Sequence, residues 1–263
     1  MVVERRSDLM PPGRKVGSGN GGSRREELLA WGREYRDKGM IWRGAPRRLP
    51  PLPEGARVLE LGCGNGKTLQ GMLGRPWRVA AVDVSPQALR LGKGLAEEMC
   101  RRGDHLRPEP STPSGVPPPP APPAGRVPPA NRLEFVAADA VQLPFRDSSF
   151  DAVFAFHVLG HLREGDRIKA AGEAARVLKA KGRLFFIEFE VEDMRAGEGV
   201  EVEEMTFRRG GGVITHYFTE AEGLELFDML RPVSILTDRR VTRIMGRDHL
   251  RSEVEAEFIK EEG

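Results

Sequence analysis

Residues 58–66 read Val58-Leu59-Glu60-Leu61-Gly62-Cys63-Gly64-Asn65-Gly66, and this stretch decides the fold of the chain. An apolar run with an acidic residue near its end is followed by three glycines at alternating positions. Such a run predicts a buried strand that enters a tight turn and opens a helix. Glycine serves where a backbone turns sharply or must approach a ligand without an intervening Cβ. The stretch therefore predicts a ligand-binding turn at the end of a strand.

A second strand with an acidic end follows at residues 78–85. Its acid, Asp83, lies nineteen residues after Gly64. An α/β nucleotide-binding fold places the carboxylate that binds a ribose about 20 residues past its glycine turn, and a carboxylate can accept both hydrogen bonds of a cis-diol. Ser85 and Pro86 then predict a helix start, with serine as N-cap and proline at the first helical position. That helix is expected to run toward Cys100.

Three further segments complete the pattern. Residues 133–140 predict a strand that ends in Asp139-Ala140, residues 149–157 predict a fourth strand that ends near Phe156-His157, and residues 176–186 predict a helix, a turn and a fifth strand. The glycines differ from the dinucleotide fingerprint G-x-G-x-x-G. Taken together, the motifs over about residues 56–190 resemble the class I S-adenosylmethionine-dependent methyltransferases, in particular those similar to methyltransferase type 11.

The resemblance implies a fold and a cofactor. The fold is α/β, a Rossmann-like seven-stranded sheet in the order 3-2-1-4-5-7-6, mostly parallel with the last strand antiparallel, and with helices on both faces. The cofactor is S-adenosylmethionine, with Glu60 suited to its ammonium, Asp83 to its ribose and Asp139 to its adenine amino group. The residues expected to bind it are Glu60, Gly62, Cys63, Gly64, Asn65, Gly66, Asp83, Val84, Asp139, Ala140 and Phe156.

Composition restricts the other classes. The 263 residues are enough for one sizeable core with appendages. With 30% charged residues and a net charge of +2, the chain is not built for strong nonspecific nucleic-acid binding, although RNA stays open. Two cysteines predict neither a disulfide framework nor a metal site. No apolar run approaches the roughly 18 residues of a membrane span and no hydrophobic signal region begins the chain, so we expect no membrane partner and a cytoplasmic location.

The predicted domain organisation is a disordered tail over 1–23 and a methyltransferase domain over 24–263. The domain carries a proline-rich insertion at 103–130, with 11 of the 21 prolines, which predicts an extended surface loop. A tolerated insertion is the favoured interpretation, and docking of a partner protein is the alternative. A helix over about 220–230 with Thr219 and Glu222 as capping box, a strand near 233–242 and a final strand at 254–259 complete the domain.

Two flanking segments are candidates for the acceptor site. A helix is predicted over 24–44, and its Trp31, Tyr35 and Trp42 either cover the cofactor pocket or pack against the sheet edge. The insertion at 190–217 follows the fifth strand, where the resembled family often carries its acceptor pocket. Its candidates are Arg208, His216 and Tyr217.

No compulsory catalytic residue follows from the motifs, because a sulfonium methyl group is already activated. A base is required only when the acceptor carries a proton of high pKa. His157 and His161 lie near the end of the fourth strand and are the candidates for a base or an orienting group. Glu188, at the end of the fifth strand, is a candidate for acceptor contact.

The acceptor itself stays open among several classes. A small-molecule acceptor is favoured. The segments 62–67 and 143–151 are also similar to tRNA wobble-uridine carboxymethyl methyltransferases, but Gly160-His161-Leu162 lacks the first histidine of that family's His-His-Leu. A non-catalytic cofactor-binding partner subunit is a third possibility, and a nicotinamide dehydrogenase is disfavoured by Lys67.

Overall fold

The computed structural model describes residues 23–41, 47–103 and 133–262. The predicted tail at 1–23 and the proline-rich insertion at 103–130 fall outside the described residues except for Ser23 and Gly103. Trp42 falls outside them as well. The expectations for these segments therefore stay predictions of the sequence.

The described part of the chain alternates strands and helices. In chain order its elements are α1 (Arg24–Lys38), β1 (Arg57–Leu61), α2 (Leu69–Leu73), β2 (Arg78–Asp83), α3 (Pro86–Arg102), β3 (Leu133–Ala137), β4 (Phe150–Phe156), a 3-10 turn (Leu159–His161), α4 (Glu164–Val177), β5 (Leu178–Phe189), β6 (Val200–Glu203), β7 (Thr206–Arg208), β8 (Ile214–His216), α5 (Glu220–Leu226), β9 (Arg231–Ile244) and β10 (Arg247–Ile259).

Seven of the strands form one sheet in the order β3-β2-β1-β4-β5-β10-β9. The pairs among β1 to β5 are parallel, and β10 is antiparallel to both β5 and β9. The predicted fold class is confirmed, including the antiparallel last strand. Because the carboxyl ends of parallel strands meet at one edge of a sheet, the loops after β1, β2, β3 and β4 lie close together there.

The sheet separates two apolar cores. Successive side chains of a strand point to opposite faces, so Leu59 and Leu61 pack in one core while Val58 packs in the other. The first core also contains the alanine face of α4 and the region around α5, and the second contains residues of α2 and α3. The helices thus cover both faces, as predicted.

Local capping signals set the helix starts. The Ser85 hydroxyl accepts a hydrogen bond from the Ala88 N–H at 3.3 Å, directly before Pro86. Thr219 and Glu222 form the predicted capping box, with the Thr219 N–H donating to Glu222 Oε2 at 2.8 Å. These predictions of the sequence are confirmed at the level of single hydrogen bonds.

Several predicted boundaries were wrong. The helix expected over 24–44 ends at Lys38, because Gly39 adopts a φ of 62° that breaks the helical path. The helix expected over 220–230 ends at Leu226. The last two strands are longer than 233–242 and 254–259, since they pair with each other well beyond β5. Met245 and Gly246, both with positive φ, form the turn between them.

The insertion at 190–217 contains more regular structure than expected. Strands β6, β7 and β8 form a separate antiparallel sheet there. Among the described residues, no helix is long and apolar enough to cross a bilayer. The cellular location stays a prediction.

Candidate active site

A cavity of about 690 Å³ opens at the carboxyl edge of the parallel strands. Its wall includes the loops after β1, β2, β3 and β4, and one side of α1. The predicted site residues on this wall are Gly62, Cys63, Gly64, Asp83, Val84, Asp139, Ala140, Phe156, His157, His161, Trp31 and Tyr35. The fold therefore brings together most of the residues that the motifs singled out.

The glycine turn forms the floor of this cavity. Gly62, Gly64 and Gly66 all have positive φ, at 71°, 52° and 86°. A Cβ on Gly62 would lie only 2.5 Å from Val158 Cγ2. The turn thus needs glycine for its backbone conformation and for its close packing against the loop after β4. Asn65 and Gly66 belong to the turn but not to the cavity wall.

Asp83 joins the turn to the end of β2. Its Oδ2 accepts from the Gly64 N–H at 2.8 Å, and its Oδ1 accepts from the Ser85 N–H at 2.8 Å. The side chain is buried, and burial raises the pKa of its carboxyl although these N–H groups favour the ionised form. A carboxylate offers about four lone-pair sites. Asp83 therefore keeps acceptor capacity for a diol while its orientation is fixed.

Glu60 lies beside the floor of the cavity, at the end of β1. It is buried, and among the described residues its Oε2 has no hydrogen-bond partner. Burial raises the pKa of Glu60 to about 8, with the nearby Asp83 adding to the effect. A buried carboxyl of this kind is completed by a positive group or by a proton. Glu60 does not itself reach the cavity wall.

Asp139 is shared between the site and the first helix. Arg24 Nη2 donates to Asp139 Oδ2 at 2.6 Å, and Arg24 Nε bonds to Asp166. Both aspartates and Arg24 line the cavity. These bonds hold the start of α1 over the loop that follows β3.

The aromatic side chains of α1 face the histidines of the loop after β4. The Trp31 ring meets the His161 ring edge-on, with centroids 4.5 Å apart, and packs against Tyr35 at 5.7 Å. Of the two interpretations of this helix, the structure places Trp31 and Tyr35 on the cavity wall.

His161 has one ring nitrogen fixed and the other unpaired. Nδ1 lies 2.8 Å from the Ile214 carbonyl oxygen, so Nδ1 carries the proton and Nε2 is an acceptor. Nε2 is buried and has no hydrogen-bond partner in the part of the chain that the structure describes. Burial lowers the pKa of His161 to about 3. The ring is therefore neutral at ordinary pH and offers a hydrogen-bond acceptor.

His157 is held by its neighbours on the other strands. Its ring stacks on Phe189 at 4.4 Å between centroids, and its Nε2 lies 3.3 Å from Glu253 Oε1. Burial lowers the pKa of His157, although Glu253 opposes the shift. The φ of His157 is 52°, a conformation uncommon for a residue with a side chain.

Four acceptor candidates lie behind the wall rather than on it. Glu188 accepts hydrogen bonds from the N–H groups of Val158 and Gly160, at 2.8 and 3.0 Å, so it holds the loop that carries both histidines. Burial raises the pKa of Glu188 to about 8. The expectation that Glu188 contacts the acceptor is not met by this placement.

The other three lie in the small sheet or directly after it, and they do not line the cavity. Arg208 donates to Glu27, His216 bonds to the Thr206 hydroxyl, and the Tyr217 hydroxyl donates to a backbone carbonyl oxygen.

Several further residues on the wall carry no signal in the sequence. They are mostly basic and come from distant parts of the chain: Arg24, Arg47, Lys67, Arg163, Arg195, Arg240 and Arg251. No spacing in the sequence marks them, since they come from α1, from several loops and, for Arg240 and Arg251, from the paired strands β9 and β10.

The profile of a methyltransferase domain matches residues 33–232, more than half of the chain. The chain belongs to the methyltransferase domain family. S-adenosylmethionine is the cofactor of this family, so the family and the cofactor predicted from the motifs are confirmed. The site fits that cofactor: the glycine turn leaves its floor free of side chains, and Asp83 and Asp139 present carboxylates beside it.

Two relatives illustrate the range of similar sequences. The chain is 30% identical over 164 residues to 27-O-demethylrifamycin SV methyltransferase of Amycolatopsis mediterranei, an overlap of 62% of this chain and 49% of the relative. It is 34% identical over 162 residues to demethylmenaquinone methyltransferase of Thermobifida fusca, with 62% and 53% covered. The chain thus spans about half the length of the curated relatives it matches.

Solved structures share the fold. A methyltransferase of Methanosarcina mazei aligns with a TM-score of 0.61 at 23% identity, covering 82% of this chain and all of that one. The 1,6-didemethyltoxoflavin-N1-methyltransferase of Burkholderia thailandensis aligns with a TM-score of 0.51 at 18% identity, covering 90% and 79%.

Proposed function

We propose that the protein transfers a methyl group from S-adenosylmethionine to a small-molecule acceptor. The observation that supports this most is the cavity at the carboxyl edge of the sheet, where the glycine turn and Asp83 share one space with Trp31 and His161. Its volume of about 690 Å³ lies in the range of roughly 300–1,000 Å³ that is usual for small-molecule sites.

The donor side is assigned to the residues of the parallel strands. Asp83 accepts hydrogen bonds from the ribose diol of the cofactor. Asp139 contacts the adenine of the cofactor while its carboxylate also pairs with Arg24. When bound, S-adenosylmethionine supplies a methyl group on an activated sulfonium. The chain therefore has to position its ligands, an effect that contributes up to about 7–11 kcal/mol in well-oriented reactions.

The acceptor side is assigned to α1 and the loop after β4. His161 Nε2 accepts a hydrogen bond from the O–H or N–H of the acceptor, and Trp31 excludes water from that contact. With a pKa of about 3, His161 orients the acceptor but is a poor group to take up its proton near pH 7. This favours an acceptor whose O–H or N–H loses its proton easily.

The names of the relatives support a small molecule. The two curated relatives above are named for methyl transfer to small molecules, a demethylrifamycin and demethylmenaquinone. Only short motif similarities suggest methylation of tRNA, and the test below measures it separately.

The test is turnover of methyl-labelled S-adenosylmethionine against a metabolite extract and against undermethylated tRNA, scored separately. We expect label in the metabolite fraction, and a marked loss of it with Asp83→Asn. Label in tRNA alone would overturn the proposal. Calorimetry with S-adenosylhomocysteine and with NAD runs in parallel. Binding of S-adenosylhomocysteine without any transfer would instead identify a non-catalytic cofactor-binding subunit.

A further inference from the structure

Positively charged side chains gather where β9 and β10 border the cavity. We call them the basic cluster, and they are Arg47, Lys67, Arg195, Arg240 and Arg251. Among the described residues of the cavity wall, Glu253 is the one carboxylate that lies within this cluster. The rest of the wall is different, because the four carboxylates there outnumber the two arginines: Glu27, Asp83, Asp139 and Asp166 against Arg24 and Arg163. The charges of the cavity are therefore segregated.

Part of the basic cluster is already neutralised. Arg240 Nη2 donates to Glu253 Oε2 at 2.7 Å, and Arg47 pairs with the same carboxylate. Arg251 Nη1 donates to the buried Asp193 at 3.1 Å. These three arginines are held in place by carboxylates of the fold.

The Arg195 and Lys67 side chains are less fully compensated. Nε and Nη2 of Arg195 are buried and have no hydrogen-bond partner among the described residues. Asp193 Oδ1 forms an ion pair with Arg195 Nε at 3.7 Å, which is too long for a hydrogen bond. Lys67 makes no ion pair with any residue in the described ranges. Burial lowers its pKa, and although the charge of Glu253 opposes the shift, those of Arg47, Arg240 and Arg251 add to it.

Two guanidinium groups also share one aromatic ring. Arg195 Cζ lies 4.7 Å from the centroid of Phe189, and Arg251 Cζ lies 4.9 Å from it. Like charges this close repel, and burial together with Arg251 lowers the pKa of Arg195. Buried guanidinium donors without acceptors are costly unless an anion completes them.

We propose that the methyl acceptor carries an oxyanion, a carboxylate or a phosphate, which Arg195 and the rest of the basic cluster bind. The inference rests on the proposed function, since it concerns the ligand of the same cavity. A guanidinium presents parallel N–H groups that match a planar carboxylate or a phosphate face. His157 stacks on the same Phe189 ring, so the proposed anion site adjoins this histidine.

The test is equilibrium binding of small probes to the protein saturated with S-adenosylhomocysteine, so that any site for the carboxylate of the cofactor is filled. The probes are benzoate, phenyl phosphate and the neutral benzamide, and their binding is measured by ligand-observed NMR. The variants are Arg195→Gln, Arg195→Lys and, as a matched loss of one charge outside the cavity, Arg243→Gln, whose side chain is 70% exposed.

We expect benzoate or phenyl phosphate to bind and benzamide to bind at least tenfold more weakly, and the stronger of the two anions identifies the group. Arg195→Gln should lower the affinity for the anion at least tenfold, and Arg195→Lys should restore part of that affinity. Arg243→Gln should bind the anion as tightly as the wild type does. Equal binding of benzamide, or no effect of Arg195→Gln in a variant with an unchanged melting curve, would refute the proposal. So would a tenfold loss of S-adenosylhomocysteine affinity in Arg195→Gln, which would assign the residue to the cofactor. Anion binding without methyl transfer would contradict the proposed function and leave this site intact.

Discussion

Gly62→Ala is the smallest change that tests the geometry of the glycine turn. The substitution adds a Cβ at a φ of 71°, where the left-handed conformation costs an L-residue about 1–2 kcal/mol. The new atom lies 2.5 Å from Val158 Cγ2 and 2.7 Å from Val158 Cβ, and overpacking of this kind typically costs about 1–3 kcal/mol. We therefore expect the free energy of unfolding to fall by about 2–5 kcal/mol.

Val158 has little freedom to avoid the clash. Its N–H donates to Glu188 Oε1 at 2.8 Å, so the backbone is held and only the side chain can turn aside. Val158 lines the cavity, and a displaced side chain disturbs the floor of the donor site. We expect Gly62→Ala to weaken S-adenosylhomocysteine binding at least tenfold.

A double-mutant cycle separates the clash from the backbone conformation. Val158→Ala removes Cγ2 but leaves Cβ at 2.7 Å, so it relieves the clash in part and leaves the cost of the positive φ. The coupling energy between Gly62→Ala and Val158→Ala should be about 1–2 kcal/mol, within the range found for residues in contact. Gly94→Ala is the control, because its Cβ meets nothing within 4 Å and it lies inside α3.

The assays are urea unfolding followed by circular dichroism and calorimetric titration of S-adenosylhomocysteine. Gly94→Ala should be neutral or slightly stabilising, by up to about 1 kcal/mol. Strict additivity of the two changes would show that the 2.5 Å approach does not exist in solution. A Gly62→Ala variant with wild-type stability and affinity would refute the reasoning altogether.

Three other predictions concern single side chains. Asp83→Ala should weaken S-adenosylhomocysteine binding by about 1–3 kcal/mol in calorimetry, as for the loss of a charged acceptor, and unchanged affinity would remove Asp83 from the donor site. His161→Phe should lower kcat/KM about 10–100-fold, the value of one lost hydrogen bond to the acceptor, with donor affinity within threefold; an equal loss in both would place His161 in the donor site. Because folding raises the pKa of Glu188 from 4.5 to about 8, its contribution to stability is complete below about pH 4.5 and is lost as the pH rises through 8. Denaturant titrations from pH 5.5 to 7.5 should show that Glu188→Gln flattens this decline by about 1 kcal/mol per pH unit, and parallel curves would contradict the shift.

The correct expectations were those set by short-range physics. The apolar run and its glycines form a strand and a turn, and the caps at Ser85 and Thr219 need only neighbouring residues. Asp83 follows from the same logic, since the end of one parallel strand meets the end of the next. These signals gave the individual strands and the acidic residues at their ends, and the family resemblance supplied the arrangement of the seven-stranded sheet.

The acceptor side depended on contacts between residues far apart in the chain. Arg208, His216 and Tyr217 have the chemistry of ligand-binding residues, yet hydrogen bonds within the fold occupy their side chains. Glu188 likewise uses its carboxylate on backbone N–H groups of another loop. Residue type alone could not distinguish a buried hydrogen bond within the fold from one to a ligand.

The amino-acid sequence by itself thus determined the individual strands, the glycine turn and the acidic residues that end the strands, because each depends on local periodicity or spacing, whereas the strand order followed from the family resemblance. Only the tertiary structure decided which cations line the cavity. Arg47 meets Glu253 across 206 residues of sequence, and Arg195 and Arg251 reach the same ring of Phe189 from different segments. The register of the long β9–β10 hairpin sets which of its arginines face inward, and a shift of one residue would turn them to the opposite face.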